Sequence, residues 1–86
     1  MSITPEDYGL LVLKFADKMI NHLIKKQKKH YDWKSSSIEQ LRVKLKEAYQ
    51  DWQISIKSKK EAEKLVTLTC QAMFLYTRLM EASRDS

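Results

Sequence analysis

Glycine, proline and cysteine each occur once in the 86 residues, as Gly9, Pro5 and Cys70. A sheet protein needs turn residues at regular intervals, and this chain has almost none to place. A single cysteine excludes an internal disulfide. With no Cys-His cluster beside it, it also makes a zinc site a poor reading. No run of apolar residues approaches the roughly 18 needed to cross a membrane. The stretch MSITPEDYGLLVLKFADKM carries acids where a signal peptide wants basic residues, and its apolar run breaks at Lys14. The default expectation is a reduced, cytoplasmic setting with no membrane contact.

What is present is charge and regularly spaced apolar residues. Charged residues make up 31% and hydrophobic ones 43%, a globular balance. The net charge is +5, and Lys supplies 13 of the 16 basic residues, the arginines being Arg42, Arg78 and Arg84. Lysine is a hydrated point charge without the bidentate geometry of Arg, so the balance allows attraction to polyanions without specifying one. A chain this short forms one domain, residues 1–86. Alone it buries only about 60% of its unfolded surface.

The spacing predicts an all-α fold with three main helices, at about 5–28, 37–57 and 59–82. Thr4-Pro5-Glu6-Asp7 is a helix start, with a capping Thr, Pro at the first helical position and acids at the positive end of the dipole. Tyr8, Leu11, Val12, Phe15, Met19 and Leu23 follow on one face, and Leu10, Leu13, Ile20 and Ile24 widen it past half the circumference. Lys25, Lys26, Lys28 and Lys29 suit the negative C-terminal end. Ser36 with Glu39 and Ser37 with Gln40 both fit a capping box opening the second helix, as Ser58 with Glu61 does for the third. The second helix has a narrow stripe of Ile38, Leu41, Leu45, Ala48, Trp52 and Ile56. The third is apolar almost all round, through Leu65, Val66, Leu68, Ala72, Met73, Leu75, Tyr76, Leu79 and Met80. Such a helix must be covered on every side, which predicts an oligomeric helical bundle, a homodimer or a dimer of dimers.

Motifs of chemistry are sparse. There is no Gly-rich phosphate loop, no His-x-x-x-His pair and no nucleophile elbow. His22 reads as a helix-flank residue, Cys70 as a small core residue, and Tyr31 with Trp33 as an apolar plug at the first junction; among lysines those rings also suit base stacking. A magnesium site on helices needs several converging carboxylates. Glu47 and Asp51 share a helix face at i,i+4, while Glu61 and Glu63 lie on opposite sides of the third helix's first turn.

The stretch Lys26-Gln27-Lys28-Lys29-His30-Tyr31-Asp32-Trp33 followed by Ser37-Ile38-Glu39-Gln40-Leu41-Arg42-Val43-Lys44-Leu45-Lys46-Glu47-Ala48 resembles the MazG-like all-α nucleotide pyrophosphohydrolases. So does the apolar run Ala72-Met73-Phe74-Leu75-Tyr76, and the likeness spans roughly residues 26–80. It implies magnesium-dependent release of pyrophosphate from nucleoside triphosphates. The family's acids, E-E-x-x-E on one helix and E-x-x-D on the next, fall here on Lys46-Glu47-Ala48-Tyr49-Gln50 and Lys64-Leu65-Val66-Thr67. Of these acids Glu47 alone is present, and lysine at two of the positions repels a cation.

The expectation is a MazG-like homo-oligomer without catalysis and without a cofactor, binding a nucleotide, a nucleic acid or a protein. Its phosphate contacts would be Lys46 and Lys64, with Lys28, Lys29 and His30 near the first junction, and its metal-site remnant Glu47, Asp51, Glu61 and Glu63. One alternative is an active, Mg2+-dependent pyrophosphohydrolase using those four acids. Another is a small basic helical module, unrelated to that family, that binds nucleic acid or protein.

Overall fold

The computed structural model describes residues 4–27 and 32–84. It contains α1 (Pro5–Gln27), a single 3-10 turn (Trp33–Ser35), α2 (Ile38–Ser55) and α3 (Glu61–Arg84), with no strand among the described residues. The all-α expectation and the three helices hold, with differences at the helix ends.

Each start has a local cause. At α1 the Asp7 backbone N–H donates to Thr4 Oγ1 at 3.3 Å, while the Asp7 carboxylate accepts from the Thr4 N–H at 3.1 Å. The Thr4 N–H, and after it the Thr4 hydroxyl donating to Asp7 Oδ2 at 3.0 Å, hold the exposed Asp7 carboxyl below the usual carboxylate range. Of the two capping boxes that the sequence offers α2, the chain uses Ser37 with Gln40. The Gln40 N–H donates to Ser37 Oγ at 3.1 Å, and the Ser37 N–H donates to Gln40 Oε1 at 2.8 Å.

The α2–α3 connection departs from the expected boundaries. Helix α2 stops at Ser55 rather than 57, because Ile56 is extended and Lys57 takes the left-handed conformation at φ 69°. A non-glycine residue there costs roughly 1–2 kcal/mol. The Lys57 N–H offsets part of that cost by donating to Glu61 Oε1 at 2.9 Å. The expected Ser58–Glu61 box therefore does not form. Ser58 Oγ instead accepts from the Lys60 N–H at 3.1 Å, and α3 begins at Glu61 rather than 59.

Helices α2 and α3 form a closely packed antiparallel hairpin. Its core is Leu41, Ala48, Cys70 and Phe74, with Ser55 and Gln71 also buried. Leu41, on the stripe at steps of three and four, and Cys70, read as a small core residue, are both essentially inaccessible. Ile56, expected on that stripe, is exposed because it lies beyond the helix end. Trp33 lies flat on Phe74, ring centroids 4.7 Å apart and planes 9° from parallel, and closes one end of the core.

Helix α1 joins this hairpin through its second half. Met19 and Leu23 pack against the Leu41–Cys70–Phe74 core. Phe15 and His22 stand beside residues 62–66, and Leu23 and Lys26 beside Met73 and Phe74, so α1 and α3 run in the same direction. The first turns of α1 therefore precede the start of α3 and lack its cover. Tyr8, Leu10, Leu11, Val12, Leu13, Phe15, Ile20 and Ile24 are all exposed, more large apolar side chains than α3 leaves open. The uncovered surface expected on the third helix is thus concentrated on the first.

Candidate functional site

Two clefts flank the start of α3, and three of the sequence-predicted site residues line them, Asp51 and Lys64 in one and Glu63 in the other. The first, of about 350 Å³, lies against the α2–α3 turn and is lined by Asp51, Ile54, Ser55, Ser58, Lys60 and Lys64. The turn geometry described above creates it, since ending α2 at Ser55 folds Ser58 and Lys60 back toward Asp51. Two ammonium groups there share a single carboxylate, which leaves a small excess of positive charge.

The second cleft, of about 500 Å³, lies between α1 and α3 and is lined by Phe15, Lys18, Asn21, His22, Lys25, Ala62, Glu63, Leu65 and Val66. Next to its lining residues His22 and Glu63, Thr67 Oγ1 donates to the Glu63 carbonyl at 3.2 Å and sits 3.4 Å from His22 Nε2. The hydroxyl has one proton, and the carbonyl takes it. Burial pushes the His22 pKa below the ordinary 6.5; Lys26 adds to this, Glu63 opposes it, and Lys25 and Lys64 add smaller pushes.

The four acids of the predicted remnant do not share one place. Glu47 is exposed on α2, 3.8 Å from Lys44. Asp51 lines the first cleft, and Glu63 lines the second. Glu61 is held inside the hairpin turn, where Oε2 accepts from Trp52 Nε1 at 3.2 Å and Oε1 from the Lys57 N–H. Among the described residues, no group of three or more His, Cys, Asp or Glu side chains is placed to hold a metal ion. Of the predicted phosphate contacts, Lys64 joins Asp51 in the first cleft. Lys46 is exposed about 140° round α2 from Asp51, by the 100° each residue turns. Lys28, Lys29 and His30 lie outside the described residues, as does Tyr31.

No known protein family, curated protein or solved structure matches this chain. The site is therefore read from its own residues. Sequence reasoning missed Lys60, which stands one helical turn before Lys64 and whose carbonyl accepts from the Lys64 N–H at 2.9 Å, and it missed the His22–Thr67 contact. The second had a signal: His22 adjoins Leu23 on α1, and Thr67 follows Val66 on α3, so both flank apolar positions that pack together.

Cys70 is a core side chain, and burial raises its thiol above the ordinary value, against a smaller opposing effect of Lys26. A raised thiol is a poor nucleophile at neutral pH. Trp33 has the plug role predicted for it, through the stack on Phe74.

Proposed function

We propose that the chain is a non-catalytic, MazG-like helical homo-oligomer that binds an anionic ligand of the nucleotide or nucleic-acid type. The observation that carries the absence of catalysis is Glu61. Both of its carboxylate oxygens accept hydrogen bonds from the hairpin turn, one from an indole and one from a strained backbone N–H. An acid so engaged stabilises the fold and is poorly disposed to hold a divalent ion. Its neighbour Glu63 faces α1 across the other cleft.

The ligand class is supported by the cleft at the α2–α3 turn, where Ser58, Lys60 and Lys64 offer a hydroxyl and two ammonium groups. These are point-charge contacts, suited to phosphate oxygens and without base selectivity. Self-association is supported by the apolar side chains that α1 leaves exposed.

The test is an assay for pyrophosphate release from common nucleoside triphosphates with magnesium or manganese. The expected result is no release above background and no magnesium-dependent rise in Tm, since an ion bound only by the folded state must raise it. Nucleotide binding by the native chain should weaken with added salt and with Lys60→Ala plus Lys64→Ala. Turnover that Glu47→Gln abolishes would overturn the proposal in favour of a metal-dependent pyrophosphohydrolase.

A further inference from the structure

The uncovered part of α1 has a specific shape. Tyr8, Leu11, Val12 and Phe15 recur at i, i+3, i+4 and i+7, so they form one face. That face continues the stripe whose later members, Met19 and Leu23, pack against the core. Within it, Leu11, Val12, Phe15, Ala16 and Met19 line a wholly apolar groove of about 450 Å³.

The surface area indicates how much cover is missing. A compact monomer of this mass exposes roughly 5,300 Å², whereas this chain exposes 7183 Å². Its radius of gyration is 14.8 Å, against roughly 12 Å for a compact domain of this length. The excess is more than the roughly 800 Å² that each partner contributes to a standard interface.

We infer that this face of α1 is the site of self-association, and that it pairs antiparallel with the same face of a second copy. The inference rests on the homo-oligomer reading above and assigns that reading its surface. A twofold axis between Leu11 and Val12 sets Tyr8 of one copy against Phe15 of the other, and Leu11 against Val12. Apolar side chains then fill the groove from both directions. The charges select this sense of pairing. Asp7 lies on the flank of the face near the start of the helix, and Lys14 and Lys18 lie on the same flank further along. Antiparallel pairing brings Asp7 of each copy between Lys14 and Lys18 of the other, whereas parallel pairing sets that charged flank against the uncharged one of Gly9 and Ala16 and forms no ion pair. On the opposite flank, Gly9 and Ala16 let the backbones approach; a Cβ added at Gly9 meets nothing within 4 Å in the single chain.

The experiment combines light scattering with site-specific cross-linking in a Cys70→Ser background. The native chain at micromolar concentration should have twice the mass of 10.2 kDa. Leu11→Cys and Val12→Cys should each cross-link to a covalent dimer under mild oxidation. An equimolar mixture of Tyr8→Cys and Phe15→Cys chains should give the mixed dimer. Leu13→Cys, on the far face of the same helix, should stay uncoupled. Lys18→Glu should raise the dimer dissociation constant roughly two- to fivefold, as for an exposed ion pair. A native mass of one chain at every concentration would overturn the homo-oligomer reading and this inference together. A dimer that cross-links through Leu13→Cys and not through Leu11→Cys or Val12→Cys would overturn this inference alone.

Discussion

The α2–α3 hairpin and helix α1 are built from similar amounts of apolar sequence, yet they use it in opposite ways. Every buried side chain among the described residues lies on α2 or α3, and α1 has none. The hairpin has a short connection, two helices that run back along each other, and a stripe that meets its counterpart. Helix α1 joins from the side, covers Met19 and Leu23, and leaves its first turns open. Hydrophobicity alone therefore does not say where the core is; the topology decides which apolar face finds a partner within the chain. The hairpin is stabilised by its own packing, and α1 is expected to be stabilised by packing on another copy.

The largest expected effect sharpens that contrast from the hairpin side. Phe74→Ala removes a buried ring and the stack on Trp33, and should cost about 3–5 kcal/mol in a denaturant melt. Trp52→Ala should cost about 3 kcal/mol, at the low end for aromatic truncation because the residue is only partly buried. On α1, Val12→Glu should change the stability of the isolated chain by less than about 0.5 kcal/mol, as an exposed position does, while lowering the mass in solution. If Val12→Glu unfolds a demonstrably monomeric chain, the contrast fails.

A smaller effect separates the two acids at the start of α3. Glu61→Gln weakens two charge-assisted hydrogen bonds at the turn and should cost about 1.5–3 kcal/mol. Glu63→Gln should stay within about 0.5 kcal/mol. Equal losses that depend on magnesium would instead mark the two as joint metal ligands. Ser37→Ala, which removes the α2 cap, should cost about 1 kcal/mol.

The smallest effect is a pH dependence at the α1–α3 contact. The folded state disfavours the His22 proton, so its folded pKa lies below the ordinary 6.5. As pH falls below 6.5 the unfolded chain takes up the proton first. Stability is therefore fully present above that value and declines as pH falls through the lowered folded pKa. His22→Gln should flatten this part of the stability profile, with little change at pH 8. An unchanged slope would mean that His22 does not titrate with folding.

Much of this fold was legible because its signals are local. Thr4 with Asp7, Ser37 with Gln40, and the 3.6-residue stripes of α1 and α2 each specify geometry within a few residues. The Ser58–Glu61 box failed because a longer contact competed: Trp52 and Lys57 reach the same carboxylate, and spacing on one helix does not reveal a bond across a turn. The apolar circumference of α3 pointed to surface in need of cover, and the structure leaves more such surface open on α1 than on α3, because sequence does not say which helix lies in the middle. The candidate site was less legible. Lys64 was in view, with Lys60 one helical turn before it, but the approach of Asp51 and Ser58 to them depends on a turn with a left-handed Lys57 that no turn residue announces.

The central claim is that α1 completes its burial on a second copy. Its most direct test is the Tm of the native chain measured over about a hundredfold range of protein concentration, beside that of Val12→Glu. Assembly that stabilises the folded state makes Tm rise with concentration, by an amount on the order of several degrees for a chain of this size. The native chain should show that rise, and Val12→Glu should show a flat or much shallower dependence. A native Tm that does not move with concentration would contradict the account.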